Sequence, residues 1–194
     1  MKRTFDLILS IVLLIILFPI FLILALVIKL DSQGPIFYKA KRTGKDGQLF
    51  HLYKFRSMIA GAQNIGPGIT HRGDPRVTRV GSYMRKYKID ELPQLINVVK
   101  GEMSLVGPRP EDPRYVEQYT PIQHQVISIR PGITSPATLV YRHEDKLLSG
   151  EDWEDNYIKK IIPEKLRIDL EYIQNQGFWT DIKILWQTFL AIFK

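Results

Sequence analysis

The sequence predicts a compact, mostly helical α/β domain with a small β-hairpin, preceded by an N-terminal membrane helix. The run from Leu7 to Ile28 is apolar except for Ser10, which predicts the membrane helix. Two strand-like runs around a glycine-containing turn predict the hairpin, and apolar residues at helical spacing predict the other helices. The sequence has no Gly-x-Gly-x-x-Gly pattern, so a Rossmann-type nucleotide domain is not expected. We divide the chain into a membrane helix, residues 1–30, and a domain, residues 31–194.

Composition narrows the classes of site and partner. The chain has 194 residues, a net charge of +7 and no cysteine, which excludes disulfides and thiolate metal sites. The positive charge indicates an anionic partner: a membrane surface, a nucleic acid or a phosphorylated substrate. Between Ile36 and Lys88 there are twelve Lys and Arg residues, and the acids in this stretch are Asp46 and Asp74. The acidic stretch from Glu144 to Asp155 is expected to be a solvated loop.

The apolar run is long enough to cross a bilayer, because residues 7–28 at 1.5 Å each give about 33 Å. Pro19 lies in its middle, where the missing backbone N–H kinks or breaks a helix. Lys2 and Arg3 precede the run and Lys29 follows it, so both ends are expected in the cytoplasm. A straight span and a re-entrant hairpin both remain open, and the flanking charges favour the re-entrant form. Lys2, Arg3 and Asp6 form either an interfacial anchor or ordinary flanking charge.

The hairpin is expected directly after the membrane helix. Its strands are predicted at Ile36–Ala40 and Leu49–Phe55, with a turn at Thr43–Gly47 between them. Lys54 and Arg56 flank the last aromatic ring of the second strand and are candidate phosphate-binding cations. A glycine-rich segment at 60–75 is expected to be a loop.

Two adjacent carboxylates, Asp90 and Glu91, follow a predicted short helix, Val77–Tyr87, that carries Arg85. They precede Pro93, and proline is favoured at the first position of a helix. The pair is therefore expected at a helix N-terminus, where unpaired N–H groups and the helix dipole stabilise an anion. Taken alone, the pair is most simply a helix cap and a first-turn acid. The basic stretch upstream favours catalysis instead.

Two stiff loops and two helices complete the chain. Pro108 and Pro110 hold Arg109, which is either a phosphate-binding guanidinium or a structural arginine. Arg130–Ala137 is predicted as a second rigid loop with a cation. A helix is predicted at Asn156–Gln174. A last helix is expected to start at a Thr180-Asp181 cap, and it either covers the core or lies in a membrane interface.

These motifs, in this order, resemble those of the bacterial sugar transferases called small monotopic phosphoglycosyl transferases (polyprenyl-phosphate hexose-1-phosphate transferases). The resemblance covers nearly the whole chain, and the length is similar to that of the minimal catalytic form. The matching segments are Lys2-Arg3 with Asp6, the Pro19 membrane segment, Tyr53–Met58, Asp90–Leu95, Gly101–Pro110 and Arg130–Thr134.

The resemblance implies transfer of a sugar-1-phosphate from a UDP-sugar to polyprenyl (undecaprenyl) phosphate, giving a polyprenyl-diphosphate sugar and UMP. It implies a Mg²⁺-dependent enzyme in which Asp90 forms a covalent phosphosugar intermediate. Glu91 is its partner and the expected Mg²⁺ ligand, and Arg109 is expected to bind phosphate. The other candidate phosphate-binding cations are Lys54, Arg56, Arg85 and Arg130.

In this family the step is the first membrane reaction in assembling O-antigen, capsule, exopolysaccharide or glycoprotein glycans. The resemblance implies a re-entrant helix in the bacterial inner membrane, a catalytic domain on the cytoplasmic face, contacts with inner-membrane lipids and interfacial amphipathic helices. It implies no nucleic-acid partner and leaves a homo-oligomer open.

One segment departs from the family pattern, because Ser135-Pro136-Ala137 replaces a common Gly-Leu-Ala after the Arg-Pro-Gly-Ile-Thr motif. Sugar preference therefore does not transfer from better-known members. The residues alone are compatible with two other functions: a Mg²⁺-dependent membrane phosphohydrolase, and a non-catalytic protein that binds anionic lipids.

Overall fold

The computed structural model describes residues 1–62, 65, 73–144 and 153–192. The loop predicted at 60–75 and the acidic stretch at 144–155 lie largely outside these residues. The described chain is mostly helical, as predicted. Its elements are α1 (Lys2–Asp31), β1 (Phe37–Thr43), β2 (Leu49–Phe55), α2 (Arg79–Lys86), α3 (Gln94–Lys100), β3 (Ser104–Val106), α4 (Pro113–Val116), β4 (Gly132–Thr134), α5 (Pro136–Val140), α6 (Trp153–Asn156), α7 (Ile162–Gln174) and α8 (Phe178–Ile192).

The predicted hairpin is confirmed. β1 and β2 are antiparallel, with Thr43 opposite Leu49, and a short 3-10 turn at Lys45–Gly47 joins them. β1 continues three residues beyond the predicted end at Ala40. Phe50 and Leu52 of β2 are buried in the core. The hairpin therefore presents one face to the domain and ends at Lys54 and Phe55.

A second pair of strands was not predicted. β3 and β4 are parallel, with Ser104 opposite Gly132 and Val106 opposite Thr134. The prediction of a rigid loop at Arg130–Ala137 is thus wrong for most of that segment, because β4 and the start of α5 lie there. Gly107 makes the approach possible, since a Cβ on it would lie 2.5 Å from the Arg130 carbonyl oxygen. Strands of three residues are too short to give an alternating pattern.

The core lies between the hairpin, α3, the β3–β4 pair and the C-terminal helices. α1 covers one side of it with an apolar stripe, and its opposite side is exposed. The buried centre comprises Ala40, Phe50, Leu52, Leu95, Val98, Met103, Leu105, Val106, Tyr172 and Ile184, and the α1 residues packed on it are Phe5, Leu9, Leu13, Leu14 and Leu17.

The start of α1 is bound to the domain by polar side chains. Arg3 donates to the carbonyl oxygens of Val98 and Val99, at 2.6 and 3.1 Å, near the end of α3. Buried Asp6 accepts a 2.7 Å hydrogen bond from Ser104 of β3. Lys2 pairs with the Asp181 carboxylate of α8. The cluster predicted as a possible interfacial anchor therefore binds protein groups.

The end of α1 is bound to the same domain. Ile28 is buried against Phe55 and Met84, and Asp31 accepts from the backbone N–H of Val80. The Arg56 guanidinium donates to Ile28 O, at 3.2 Å, and to oxygens of Ser32 and Gln33, which directly follow α1. Both ends of α1 thus contact one domain.

Pro19 does not break α1. The helix is continuous from Lys2 to Asp31, with Pro19 exposed on its outer side. The sequence predicted a kink or a break at Pro19. A break is wrong, because one missing N–H leaves the remaining backbone hydrogen bonds of the helix in place, and the kink stays a prediction. Within the described ranges, α1 is the one helix long and apolar enough to cross a membrane. The re-entrant path stays a prediction.

The C-terminal helices follow the predicted periodicity. Leu166 of α7 is buried, but the helical run begins earlier than predicted, with α6 and a π-helical turn at Tyr157–Ile161. The cap predicted for α8 is wrong, because α8 begins at Phe178 and Asp181 lies inside it. Asp181 instead accepts a 2.6 Å hydrogen bond from Tyr172. An interfacial position for α8 stays a prediction.

Candidate active site

The two carboxylates lie in a tight turn that precedes α3. Lys88 has φ 56° and ψ 21°, a left-handed conformation that is unfavourable for a residue with a side chain. A 3-10 turn at Ile89–Glu91 follows, and it buries Asp90 and Glu91, which are 4% and 8% exposed. The capping interpretation of Asp90 is wrong, because Pro93 is the N-cap residue and α3 has no side-chain cap.

Glu91 is fully engaged by cations. Arg109 donates through Nη2 to Oε1 at 2.5 Å and through Nη1 to Oε2 at 3.1 Å. Lys54 Nζ donates to Oε1 at 2.7 Å. The bidentate geometry of a guanidinium fixes the Glu91 carboxylate, and the end of β2 and the loop after β3 meet here.

Asp90 is in the opposite situation. Its Oδ1 is buried and has no hydrogen-bond partner in the described part of the chain. A buried carboxylate oxygen without a partner is costly, so such atoms mark strain or a binding position. The turn therefore holds a buried, unpaired acceptor beside a carboxylate that cations neutralise.

Burial and charge move the pKa values of the two carboxylates apart. Burial raises the pKa of Asp90, with Lys54 opposing and Glu91 adding to the rise. Burial also acts to raise the pKa of Glu91, but Arg109 and then Lys54 outweigh it and hold that pKa well below its usual range. Burial lowers the pKa of Lys54. Different protonation behaviour in neighbouring carboxylates is typical of sites with divided roles.

Arg85 and Lys88 add positive charge around Asp90. Both lower the pKa of Asp90, but by less than burial and the charges of Lys54 and Glu91 change it. Arg85 Nε donates to Ser57 Oγ at 3.1 Å, which places α2 against the segment that follows β2. The structure thus brings together Lys54, Arg85 and Arg109 of the predicted cations.

Two predicted cations lie elsewhere. Arg56 is 5% exposed and donates to Ser32 O at 2.6 Å and Gln33 O at 2.8 Å, so it caps the C-terminus of α1. Arg130 donates through Nε to Gly101 O at 2.9 Å, which is the end of α3. These contacts give both residues structural roles, and we do not retain them as phosphate ligands.

Asp169 of α7 supports the arginine loop. It is buried, and its Oδ1 accepts from the Ala137 backbone N–H at 3.4 Å. Burial raises the pKa of Asp169 to about 6, against hydrogen bonds from Ser135 and from the backbone of Ala137 and Arg109. The Asp169 carboxylate thus connects Ser135-Pro136-Ala137, the segment that differs from the family pattern, to Arg109, which binds Glu91.

The site also contains residues that the sequence analysis did not identify. Lys88 stands next to the pair, but nothing in the sequence indicates its left-handed backbone. Asp169 did leave a signal, because it lies on the same helical face as Leu166 and Ile173, where a charged residue is unusual. Gln94 lies four residues after Asp90 and is buried.

The pair fits a Mg²⁺ ion only together with substrate oxygens. Mg²⁺ is usually held by one or two carboxylates plus phosphates and waters. No group of three metal-binding side chains lies within the ranges that the structure describes. Asp90 offers an unpaired oxygen, whereas Glu91 would have to exchange Lys54 or Arg109 to bind the ion. The predicted Glu91 ligation stays a prediction.

Comparison with known proteins gives a consistent match. The family model described as bacterial sugar transferase matches residues 1–194. The chain is 38% identical over 194 residues to a UDP-N-acetylgalactosamine-undecaprenyl-phosphate N-acetylgalactosaminephosphotransferase of Aeromonas hydrophila, covering 98% of this chain and 43% of that protein. It is 36% identical over 197 residues to the UDP-glucose:undecaprenyl-phosphate glucose-1-phosphate transferase of Escherichia coli K12, covering 100% of this chain and 40% of that protein.

The length of the relatives differs. The chain spans about two fifths of each of those two proteins. A third relative, the exopolysaccharide production protein PSS of Rhizobium leguminosarum bv. phaseoli, is 36% identical over 198 residues, covering 98% of this chain and 94% of that protein. The matched part is therefore a unit that relatives carry with and without further sequence.

Proposed function

Because the chain belongs to the bacterial sugar transferase family, we propose that it transfers a sugar-1-phosphate from a UDP-sugar to undecaprenyl phosphate. The products are a polyprenyl-diphosphate sugar and UMP. The names of the relatives support the substrates, and one of those names supports a place in exopolysaccharide production. The observation that carries the proposal is Asp90, a buried carboxylate with an unpaired oxygen, set among cations.

The first step uses Asp90 as nucleophile. An Asp90 oxygen attacks the β-phosphorus of the UDP-sugar, and the bond from that phosphorus to the bridging oxygen breaks. UMP leaves with the electron pair, and Asp90 carries the sugar phosphate as an acyl phosphate. Its unpaired Oδ1 supports this role, since no protein hydrogen bond has to be broken before attack.

The second step regenerates the carboxylate. An oxygen of undecaprenyl phosphate attacks the same phosphorus, the bond to Asp90 breaks, and the polyprenyl-diphosphate sugar leaves. Splitting the transfer in two lets a soluble donor and a lipid acceptor use one site in turn. Phosphoryl transfer depends mainly on positioning and on neutralising charge.

The surrounding cations supply that neutralisation. Lys54 and Arg109 lie on Glu91 at 2.7 and 2.5 Å, next to Asp90. A donor diphosphate reaching Asp90 meets these two groups and Arg85. Arg109 is the phosphate ligand of this proposal, because its planar fork matches two phosphate oxygens as it matches Glu91.

We include Mg²⁺ dependence in the proposal. Asp90 and Glu91 are the residues that would hold the ion, with the donor phosphates completing its oxygen ligands. A bound Mg²⁺ would neutralise phosphate charge. The unpaired Oδ1 of Asp90 supports this donor set.

The proposed location is the cytoplasmic face of the bacterial inner membrane, with α1 re-entrant. Exposed apolar residues run along the outer side of α1, from Ile8 to Leu30, and along α8 at Trp179 and Trp186. Contact of both α1 ends with one domain supports a path that enters and leaves on the same side. Undecaprenyl phosphate would then meet Asp90 at the membrane surface.

The test is a panel of UDP-sugars incubated with undecaprenyl phosphate, with UMP release and glycolipid product as readouts. Intact-mass measurement should detect a phosphosugar adduct on wild type and none on Asp90→Asn, since an amide is not a nucleophile here. Release of free sugar phosphate without glycolipid would favour a phosphohydrolase. Unchanged function of Asp90→Asn would favour a non-catalytic lipid-binding protein, and product without an adduct would overturn the two-step mechanism.

A further inference from the structure

The side chain of Gln94 has an unusual environment. It is 1% exposed, and its Nε2 has no hydrogen-bond partner within the described ranges. Buried side-chain amides are nearly always paired, because a buried donor without an acceptor has lost its water and gained nothing. A native protein that keeps such a group needs a reason for it.

Asn97, on the same helix, shows that α3 can satisfy a buried amide. Its Oδ1 accepts from the Tyr53 N–H at 3.0 Å, and its Nδ2 donates to His51 O at 2.8 Å and to Glu102 at 2.6 Å. The unpaired amide of Gln94 is therefore specific to its position, one turn nearer to the carboxylates.

Gln94 follows Asp90 by four residues. The backbone between them is helical, with Asp90 in the 3-10 turn and with Leu92 and Pro93 in the right-handed helical region. Four residues in this mixed 3-10 and α-helical backbone make a little more than one turn, so the two side chains leave it on neighbouring faces. Each ends in a buried unpaired atom, an acceptor at Asp90 Oδ1 and a donor at Gln94 Nε2.

We propose that Gln94 is a catalytic residue that donates its side-chain N–H to an oxygen of the phosphoryl group carried by Asp90. This inference rests on the proposed function and adds a residue to it. Gln94 makes and breaks no covalent bond. Its donor is fixed before the reaction, and the phosphoryl oxygen supplies the acceptor that the folded chain lacks. Preorganised donors of this kind act mainly on the transition state.

The main variant is Gln94→Met, which keeps the length of the side chain and removes the donor. We expect kcat and the rate of adduct formation to fall about 100-fold, with a much smaller change in KM for the UDP-sugar. The thermal midpoint should stay equal or rise, because an unpaired buried amide has been removed. Gln174→Met, at an exposed position of α7, is the matched control and should keep wild-type rates.

A stability reference separates this role from a structural one. Asn97→Leu removes a paired buried amide and should lower the thermal midpoint clearly. If Gln94→Met lowers it equally, or if it forms adduct at the wild-type rate, the inference is wrong. If the wild type is active and Gln94→Met gives either of these results, the role of Gln94 is wrong and the proposed function stands. A wild type that releases no UMP with any UDP-sugar overturns the proposed function, and the role of Gln94 with it.

Discussion

Asp90 and Glu91 are neighbours in sequence but have opposite surroundings. Arg109 holds both oxygens of Glu91, at 2.5 and 3.1 Å, whereas Asp90 Oδ1 has no partner in the described part of the chain. The tight turn after Lys88 directs the two side chains differently, although both are buried. One carboxylate is thus neutralised by two cations, and the other has an oxygen without a hydrogen bond.

The pair should respond oppositely to isosteric neutralisation. Glu91→Gln should lower the free energy of unfolding by about 1.5–3 kcal/mol, because Lys54 and Arg109 lose a charged partner. Asp90→Asn should raise it by about 1 kcal/mol, since it removes a buried charge without a hydrogen bond. Denaturant unfolding in detergent measures both. Glu117→Gln, at an exposed position, is the control and should change little.

Arg109 should not be replaceable by lysine. Arg109→Lys keeps the charge but loses the two parallel hydrogen bonds to Glu91 and the matching grip on a phosphate. We expect kcat/KM for the UDP-sugar to fall about 100-fold. Initial rates of UMP release measure this. Arg114→Lys alters an exposed arginine on α4 and should leave the rate unchanged. Equal rates for the two variants would show that Arg109 does not bind the donor phosphate.

Arg56 should matter for stability and not for phosphate binding. Arg56→Lys loses most of the hydrogen bonds to Ser32, Gln33 and Ile28 and should destabilise the protein by about 1.5–3 kcal/mol. The variant that remains folded should keep the wild-type KM for the UDP-sugar. Arg130→Lys, with one exposed contact, should cost less than about 0.5 kcal/mol. A raised KM for Arg56→Lys with unchanged stability would restore the sequence-based assignment.

Asp169 should make stability depend on pH. Its pKa of about 6 lies above the ordinary aspartate value of 3.8, so the folded state binds the proton more tightly than the unfolded state. Stability should therefore fall as pH rises from about 4 to 6 and then level off. At about 1.4 kcal/mol per pKa unit, wild type should lose about 3 kcal/mol relative to Asp169→Asn across this range. Parallel curves for the two proteins would contradict the prediction.

The outer face of α8 should bind membranes. Trp186 and Phe189 are 60% and 51% exposed and stack on each other, which suits an interface between water and lipid. The test uses the chain with α1 in place, because α1 packs on the domain core. Replacing both residues with serine should reduce the salt-resistant fraction that floats with vesicles of anionic and neutral lipids. Replacing exposed Gln187 and Lys183 with serine should not.

Local patterns predicted the elements that depend on neighbours in sequence. β2 has the predicted ends, Leu49 and Phe55, because alternation and a glycine turn are local signals. Gly101 ends α3 in the left-handed conformation, as expected of a residue past a helix terminus. The carboxylate pair as the centre of the site stays a prediction, favoured by its basic surroundings and by the family motifs.

Roles that depend on distant partners were not predictable from residue type. Arg56 and Lys54 are both cations at the end of β2, but one caps α1 and the other binds Glu91. The pleat of a strand would put residues two positions apart on the same face, but β2 ends at Phe55, so Arg56 lies beyond the strand and turns toward the end of α1. The β3–β4 pairing joins segments that are distant in sequence, so no local pattern contains it. The helix of Pro19 stayed unbroken because its apolar neighbours favour a continuous backbone ladder.

The contact between Lys2 and Asp181 spans 179 positions of the chain. During synthesis α1 leaves the ribosome well before α8, so Lys2 and its neighbours wait for their partners. Contacts of such sequence separation form late and slow the final steps of folding. The apolar helix is therefore expected to reach lipid first, and the domain to close upon it afterwards. Membrane insertion is then expected early in the folding of this protein, with the turn that holds Asp90 and Glu91 completed on a helix that has already entered lipid.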